Sequence, residues 1–158
     1  MPATRCSVEV AFAPNAQPRG VGFLVYPGMN AVTAQETFYG LQEEEQNYFR
    51  VSFEYWAIGR HDPRRFHGWD KSAFSGNHTL CFVFKQDEHR LYGFLDHPKE
   101  NDPGYYFCVL VAYAWKAKAN TERKYLIDCD EMRGNTSVRA AMRALFPSPA
   151  KGVHHGRR

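Results

Sequence analysis

Arg90 lies in His89-Arg90-Leu91-Tyr92-Gly93-Phe94-Leu95, an alternating run that reads as a strand. A charged side chain among such neighbours must reach a groove or solvent. Lys116 and Lys118 follow the apolar run Tyr105–Trp115 and share one parity, and Lys85 closes the run Thr79–Lys85. Cations held on a rigid sheet can stabilise the charge of a phosphorane, and arginine does so with a bidentate fork. His78, His89 and His97 flank the same strands. Histidine titrates near neutrality, so any of them could move the protons of such a reaction. Metal-independent RNA cleavage needs these parts: a base for the 2′-hydroxyl, cations for the phosphorane, and an acid for the leaving oxygen. The structural alternatives are ordinary ones, a solvated strand exit for the lysines and unemployed loop positions for the histidines.

Two further groups could hold RNA. Tyr92 shares the parity of Arg90 and could stack a base, or be a packed core tyrosine. Arg60, Arg64, Arg65 and Lys71 are interleaved with His61, Phe66, His67 and Trp69, which suits a nucleic-acid backbone and also a solvated helix face. Glu43-Glu44-Glu45 reads as a solvated helix face. No cofactor and no metal is expected, because the sequence holds no C-x-x-C, H-E-x-x-H, P-loop, G-x-G-x-x-G or G-x-S-x-G. The carboxylates do not cluster as a two-metal nuclease requires.

The elements that must position these groups follow from periodicity. Ser7–Phe12 alternates, with Val8, Val10 and Phe12 predicted on one face. Val21–Tyr26 is a second short strand. Thr33 with Glu36 forms a capping box, and apolar residues then recur at helical spacing to Trp56, as one long helix or a hairpin bent near Gly40. Asp62-Pro63 predicts a helical turn. A three-strand meander follows at Thr79–Lys85, His89–Leu95 and Tyr105–Trp115, the last apolar throughout and so covered on both faces. Asn120 and Asn135 are predicted to cap two closing helices. The fold class is α+β, one domain over residues 1–146, with 147–158 a flexible tail. His154 and His155 belong to that tail.

The chain has 158 residues, enough for a core without a disulfide or metal staple. The longest wholly apolar run, Tyr105–Trp115, has 11 residues against the roughly 20 of a spanning helix. Net charge is +3, but residues 1–58 carry −3 and residues 59–158 carry +6. The second part therefore suits an anionic partner. Four separated cysteines and no secretory signal suggest a reduced, cytoplasmic protein.

Over residues 45–133 the chain resembles the RelE/ParE toxin superfamily, and within it the HigB-like branch. The likeness lies in Asn77–Lys85, His89–Leu95 and Cys108–Lys118, preceded by helices. Ala117 separates two lysines that are often adjacent in that branch. Residues 1–32 extend beyond a minimal member, and Pro98–Gly104 is a longer loop. The resemblance implies a small antiparallel sheet, the meander plus an N-terminal strand, packed on helices. It also implies a toxin-like endoribonuclease cutting messenger RNA on the ribosome. Its catalytic residues would come from Arg90, Lys116, Lys118, His78 and His89. RNA would be held by Lys85, Tyr92, Arg60, Arg64, Arg65 and Lys71. The implied partners are messenger RNA, the ribosome and a cognate antitoxin. The alternative is a non-catalytic protein-interaction module of the same fold, from a phage or mobile element.

Overall fold

The apolar run 105–115 becomes the strand around which everything else is arranged. The computed structural model describes residues 6–13, 18–29, 32–99, 101–116 and 123–147. In chain order the strands are β1 (Ser7–Phe12), β2 (Arg19–Val25), β3 (Phe66–Gly68), β4 (Cys81–Gln86), β5 (His89–Asp96) and β6 (Tyr106–Trp115). The helices are α1 (Ala34–Gly40), α2 (Glu43–Ala57), α3 (Arg123–Gly134) and α4 (Thr136–Arg143). The protein is α+β, with one six-stranded sheet in the order β1-β2-β6-β5-β4-β3. It is larger than the expected meander plus one strand, because β2 and β3 both join. It is also mixed: β2 runs parallel to β6, while the other pairs are antiparallel.

Helices cover both faces. On one, α1 and α2 bury Phe38, Phe49, Phe53 and Trp56 against Phe23, Phe84, Leu91, Cys108 and Leu110. The three- and four-residue spacing of Phe49, Phe53 and Trp56 places them on one stripe of α2. The Phe53 ring meets Phe84 edge-on at 4.9 Å, a geometry worth about 1 kcal/mol beyond its area. On the other face, Leu126 and Cys129 of α3 with Val138 and Met142 of α4 cover Val83, Tyr92, Phe94, Phe107 and Val109.

The caps explain the helix limits. Thr33 accepts from the Glu36 amide at 3.2 Å and starts α1. The chain then breaks at Leu41, and α2 starts afresh with Glu45 accepting from the Gln42 amide at 3.1 Å. Asn135 caps α4 by accepting from the Val138 amide at 3.1 Å; Asn120 lies outside the described residues.

Three features refine the expected elements, and the second overturns one expectation, that Val8, Val10 and Phe12 share a face. Asp62-Pro63 makes a single turn, in which the Arg65 and Phe66 amides donate to the Asp62 carbonyl. The chain then enters β3 rather than a helix, because Phe66–Gly68 pairs with Phe82–Phe84. In β1, a bulge between Val10 and Phe12 shifts the register. Val8 is therefore buried on the α4 face, Val10 is exposed, and Phe12 packs on the opposite face. In β6, Tyr92 pairs with Ala112 but Gly93 with Leu110, leaving Val111 as an extra residue. The bulge inverts the alternation, so Ala112 and Ala114 point the same way as Val109. Among the described residues, no helix is long and apolar enough to cross a membrane.

Candidate functional site

The two-residue turn between β4 and β5 pairs Lys85 directly with Arg90, and Arg90 with Ala114 on β6. Lys85 follows the parity of Cys81 and Val83, Arg90 that of Tyr92 and Phe94, and Lys116 that of Ala112 and Ala114. All of those neighbours belong to the α3 face. The Lys116 amide donates to Glu88 at 2.8 Å, which holds the strand exit beside the turn. His67 pairs with Val83 and shares that face. Lys85, Arg90, Lys116 and His67 thus converge at one end of the sheet.

Their electrostatics record the crowding. Burial first, and more weakly the charges of Lys85, Lys116 and Arg90, hold the His67 imidazole below its usual range, against the Gly68 hydrogen bond, which raises it. Burial, then Arg90 and Lys116, lowers the Lys85 ammonium, against a weaker pull from Asp62. Burial, then Arg90, lowers Lys116. Lys85 Nζ donates to the Pro63 carbonyl at 2.6 Å. Arg90 Nη1 donates to the carbonyls of Asp87 and His89. His67 Nδ1 lies 2.9 Å from the Gly68 carbonyl, which can only accept. The ring proton therefore sits on Nδ1, and the Nε2 lone pair is available to take another.

The remaining predicted residues fall elsewhere. Tyr92 is 1% exposed, stacked on Tyr125 with centroids 5.2 Å apart and planes at 1°, and flanked by Trp69. It is a core residue, because α3 covers its face, and it has no surface to offer a base. Arg65 donates from Nη1 to the Tyr48 carbonyl and to Ser52 Oγ, with its guanidinium 4.0 Å from the Tyr48 ring centroid. Arg60 lies over Tyr55 at 3.9 Å. Both tie the 58–65 segment to α2. Arg64 and Lys71 are exposed. Lys118 lies outside the described residues, as do His154 and His155.

Neither histidine named for catalysis joins the cluster. His89 is on the α2 face, with Nε2 3.0 Å from Glu45 and Nδ1 2.8 Å from the Tyr113 hydroxyl. That bond and the Gln42 amide hold the Glu45 carboxyl below its usual range, the amide contributing more. His78 sits at the far end of β4, buried between Asp130 and Arg123. The histidine that does join, His67, is easy to miss: the signal at Asp62-Pro63 is helical, and only pairing with β4 gives residues 66–68 an alternation to read.

The cluster can bind a polyanion through three cations. It can also exchange protons, through an imidazole and two ammonium groups each held below its usual range. No protein-family description, curated protein or solved structure matches this chain.

Proposed function

We propose that the chain is a toxin-like endoribonuclease that cuts messenger RNA on the ribosome without a metal. The observation that carries the reading is the convergence of Lys85, Arg90, Lys116 and His67 on one half-buried face. The order of helix pair, antiparallel meander β3–β6 and closing helices, compatible with the resemblance read from residues 45–133, supports it. In this reading Arg90 and Lys85 hold the scissile phosphate. His67 Nε2 takes the proton of the 2′-hydroxyl, whose oxygen attacks phosphorus. Lys116 gives a proton to the leaving 5′-oxygen, and a 2′,3′-cyclic phosphate remains. An antitoxin would neutralise the protein by laying a segment over the same cations.

The test is incubation of the full chain with messenger RNA and ribosomes in the presence of a chelator. Cleavage that Arg90→Ala and His67→Gln abolish while the fold is retained supports the reading. Cleavage insensitive to both, or absent, with no growth arrest on expression, sinks it. A non-catalytic protein-binding module is the second reading. It is favoured by two exposed apolar side chains, Val32 and Trp115, 61% and 60% accessible, the first held to β6 two residues before the second by the Tyr113 amide donating to the Val32 carbonyl.

A further inference from the structure

We propose that His78, Cys81 and Asp130 form a binding site for one zinc ion, clamping α3 to the start of β4. The site is separate from the cationic cluster and does not rest on the ribonuclease reading. His78 and Cys81 are separated by two residues at the turn entering β4, an interval typical of paired zinc ligands. Asp130 meets them from α3. One donor atom of each lies within 4.8 Å of the others. His78 Nδ1 is 2.5 Å from one Asp130 carboxylate oxygen, and Cys81 Sγ is 3.3 Å from the other.

The donors suit the ion. One nitrogen, one thiol sulfur and one carboxylate make the borderline-soft set that zinc prefers. With bonds of about 2.0–2.3 Å, tetrahedral donors stand about 3.3–3.8 Å apart. The carboxylate must draw back from Nδ1 by about 1 Å, and the thiol and imidazole, within 4.8 Å of each other, must close onto the ion. Cys81 is fully buried and the His78 side chain is 5% exposed, while that of Asp130 is 34% exposed. The opening beside Asp130 gives the ion an entrance and leaves a fourth position for water. Phe74 packs edge-on against the imidazole at 5.5 Å and closes the other side.

Arg123 competes with the ion. Its Nε donates to His78 Nε2 at 3.0 Å, which places the ring proton on Nδ1. On binding, the metal takes the Nδ1 lone pair, the ring proton moves to Nε2, and the thiol proton leaves to solvent. Arg123 must then swing away, and its exposure on the first turn of α3 allows this.

The experiment is titration of the reduced full-length protein with Co²⁺, followed by displacement with Zn²⁺. One equivalent is expected, with a thiolate-to-cobalt charge-transfer band in the near ultraviolet and the visible absorption of a tetrahedral ion. Cys81→Ser should remove the near-ultraviolet band, and Asp130→Asn should weaken binding about tenfold or more. Arg123→Ala, a surface change, should tighten it about tenfold by removing the competing donor. The wild-type titration stands without any variant. Absence of the thiolate band, its persistence in Cys81→Ser, or weaker binding by Arg123→Ala overturns the proposal.

Discussion

Lys85 and Arg90 are directly paired across the β4–β5 hairpin, two cations where a sheet ordinarily sets opposite charges or apolar partners. Lys116 adds a third cation that both lysine and histidine neighbours feel. Relief comes from backbone carbonyls of Pro63, Asp87 and His89. Among the described residues, neither Lys85 nor Arg90 forms an ion pair with a carboxylate. Asp62, whose charge Lys85 feels, lies 3.6 Å from Arg65 instead. Like charges held opposite one another oppose folding, and a bound anion removes that opposition.

Arg90→Gln should therefore separate stability from binding. Taking one cation from a like-charged pair leaves urea stability within about 0.5 kcal/mol of the parent, or raises it. Affinity for a short RNA should fall about tenfold, and the slope of log affinity against log salt should shrink by about 1. Fluorescence anisotropy over a potassium chloride series measures both. A large loss of stability with unchanged RNA affinity would mean that Arg90 serves the fold alone.

His67 makes the pH dependence specific. Its folded-state pKa is lowered by burial and the three cations, so between that value and the ordinary one of about 6.5 the unfolded chain binds more protons. Its contribution to stability is complete above about pH 6.5 and is lost as pH falls through the folded value. Denaturation midpoints should drop with acid over this window, and His67→Gln should flatten the drop. An NMR titration should place the imidazole midpoint below 6.5. RNA cleavage should likewise persist below pH 6.5, since the base stays unprotonated there. A midpoint above 6.5 contradicts the electrostatic description.

Arg65 and Arg64 are sequence neighbours with different tasks. Arg65 is 20% exposed, and it bonds to the Tyr48 carbonyl and Ser52 Oγ while lying over two tyrosine rings. Arg65→Ala loses two charge-assisted bonds and the ring contact, so about 1–2 kcal/mol of stability should go with it. Arg64→Ala, at an exposed position, should change stability by less than about 0.5 kcal/mol. Denaturation of the two variants side by side checks this, and equal effects would contradict it.

What could be read from residues alone follows from where the information lies. The strand at 106–115 is legible because both parities of the run are apolar, which a strand needs only when both faces are covered. The helix starts at Thr33 and Asn135 are legible because a cap is local chemistry. The grouping of Lys85, Arg90 and Lys116 is half legible. Each sits at a strand end, but whether they share a face depends on the pairing register and on the Val111 bulge, which no local pattern announces. Tyr92 is assigned the right face, yet its burial depends on α3, more than thirty residues later. The His78–Cys81–Asp130 group is hidden for the same reason, since its third member lies 49 residues from the second.

Gly93 tests the bulge on which that grouping depends. It lies opposite the register shift, and a Cβ built there would stand 2.3 Å from the Val109 carbonyl oxygen and 3.0 Å from the Leu110 Cα. Both are backbone atoms of the central strand, so no side-chain rotation can make room. The added methyl must push β5 and β6 apart where their ladder is already interrupted at Val111. Gly93→Ala should cost about 3 kcal/mol, the upper end for overpacking a core. Because Arg90 and Lys116 are carried by the same two strands, the displaced register should also lower RNA affinity, although Gly93 touches no charge. Urea denaturation gives the first effect. Anisotropy on the folded fraction at low temperature gives the second. An alanine variant with parental stability would show that the two strands can separate at this point without cost.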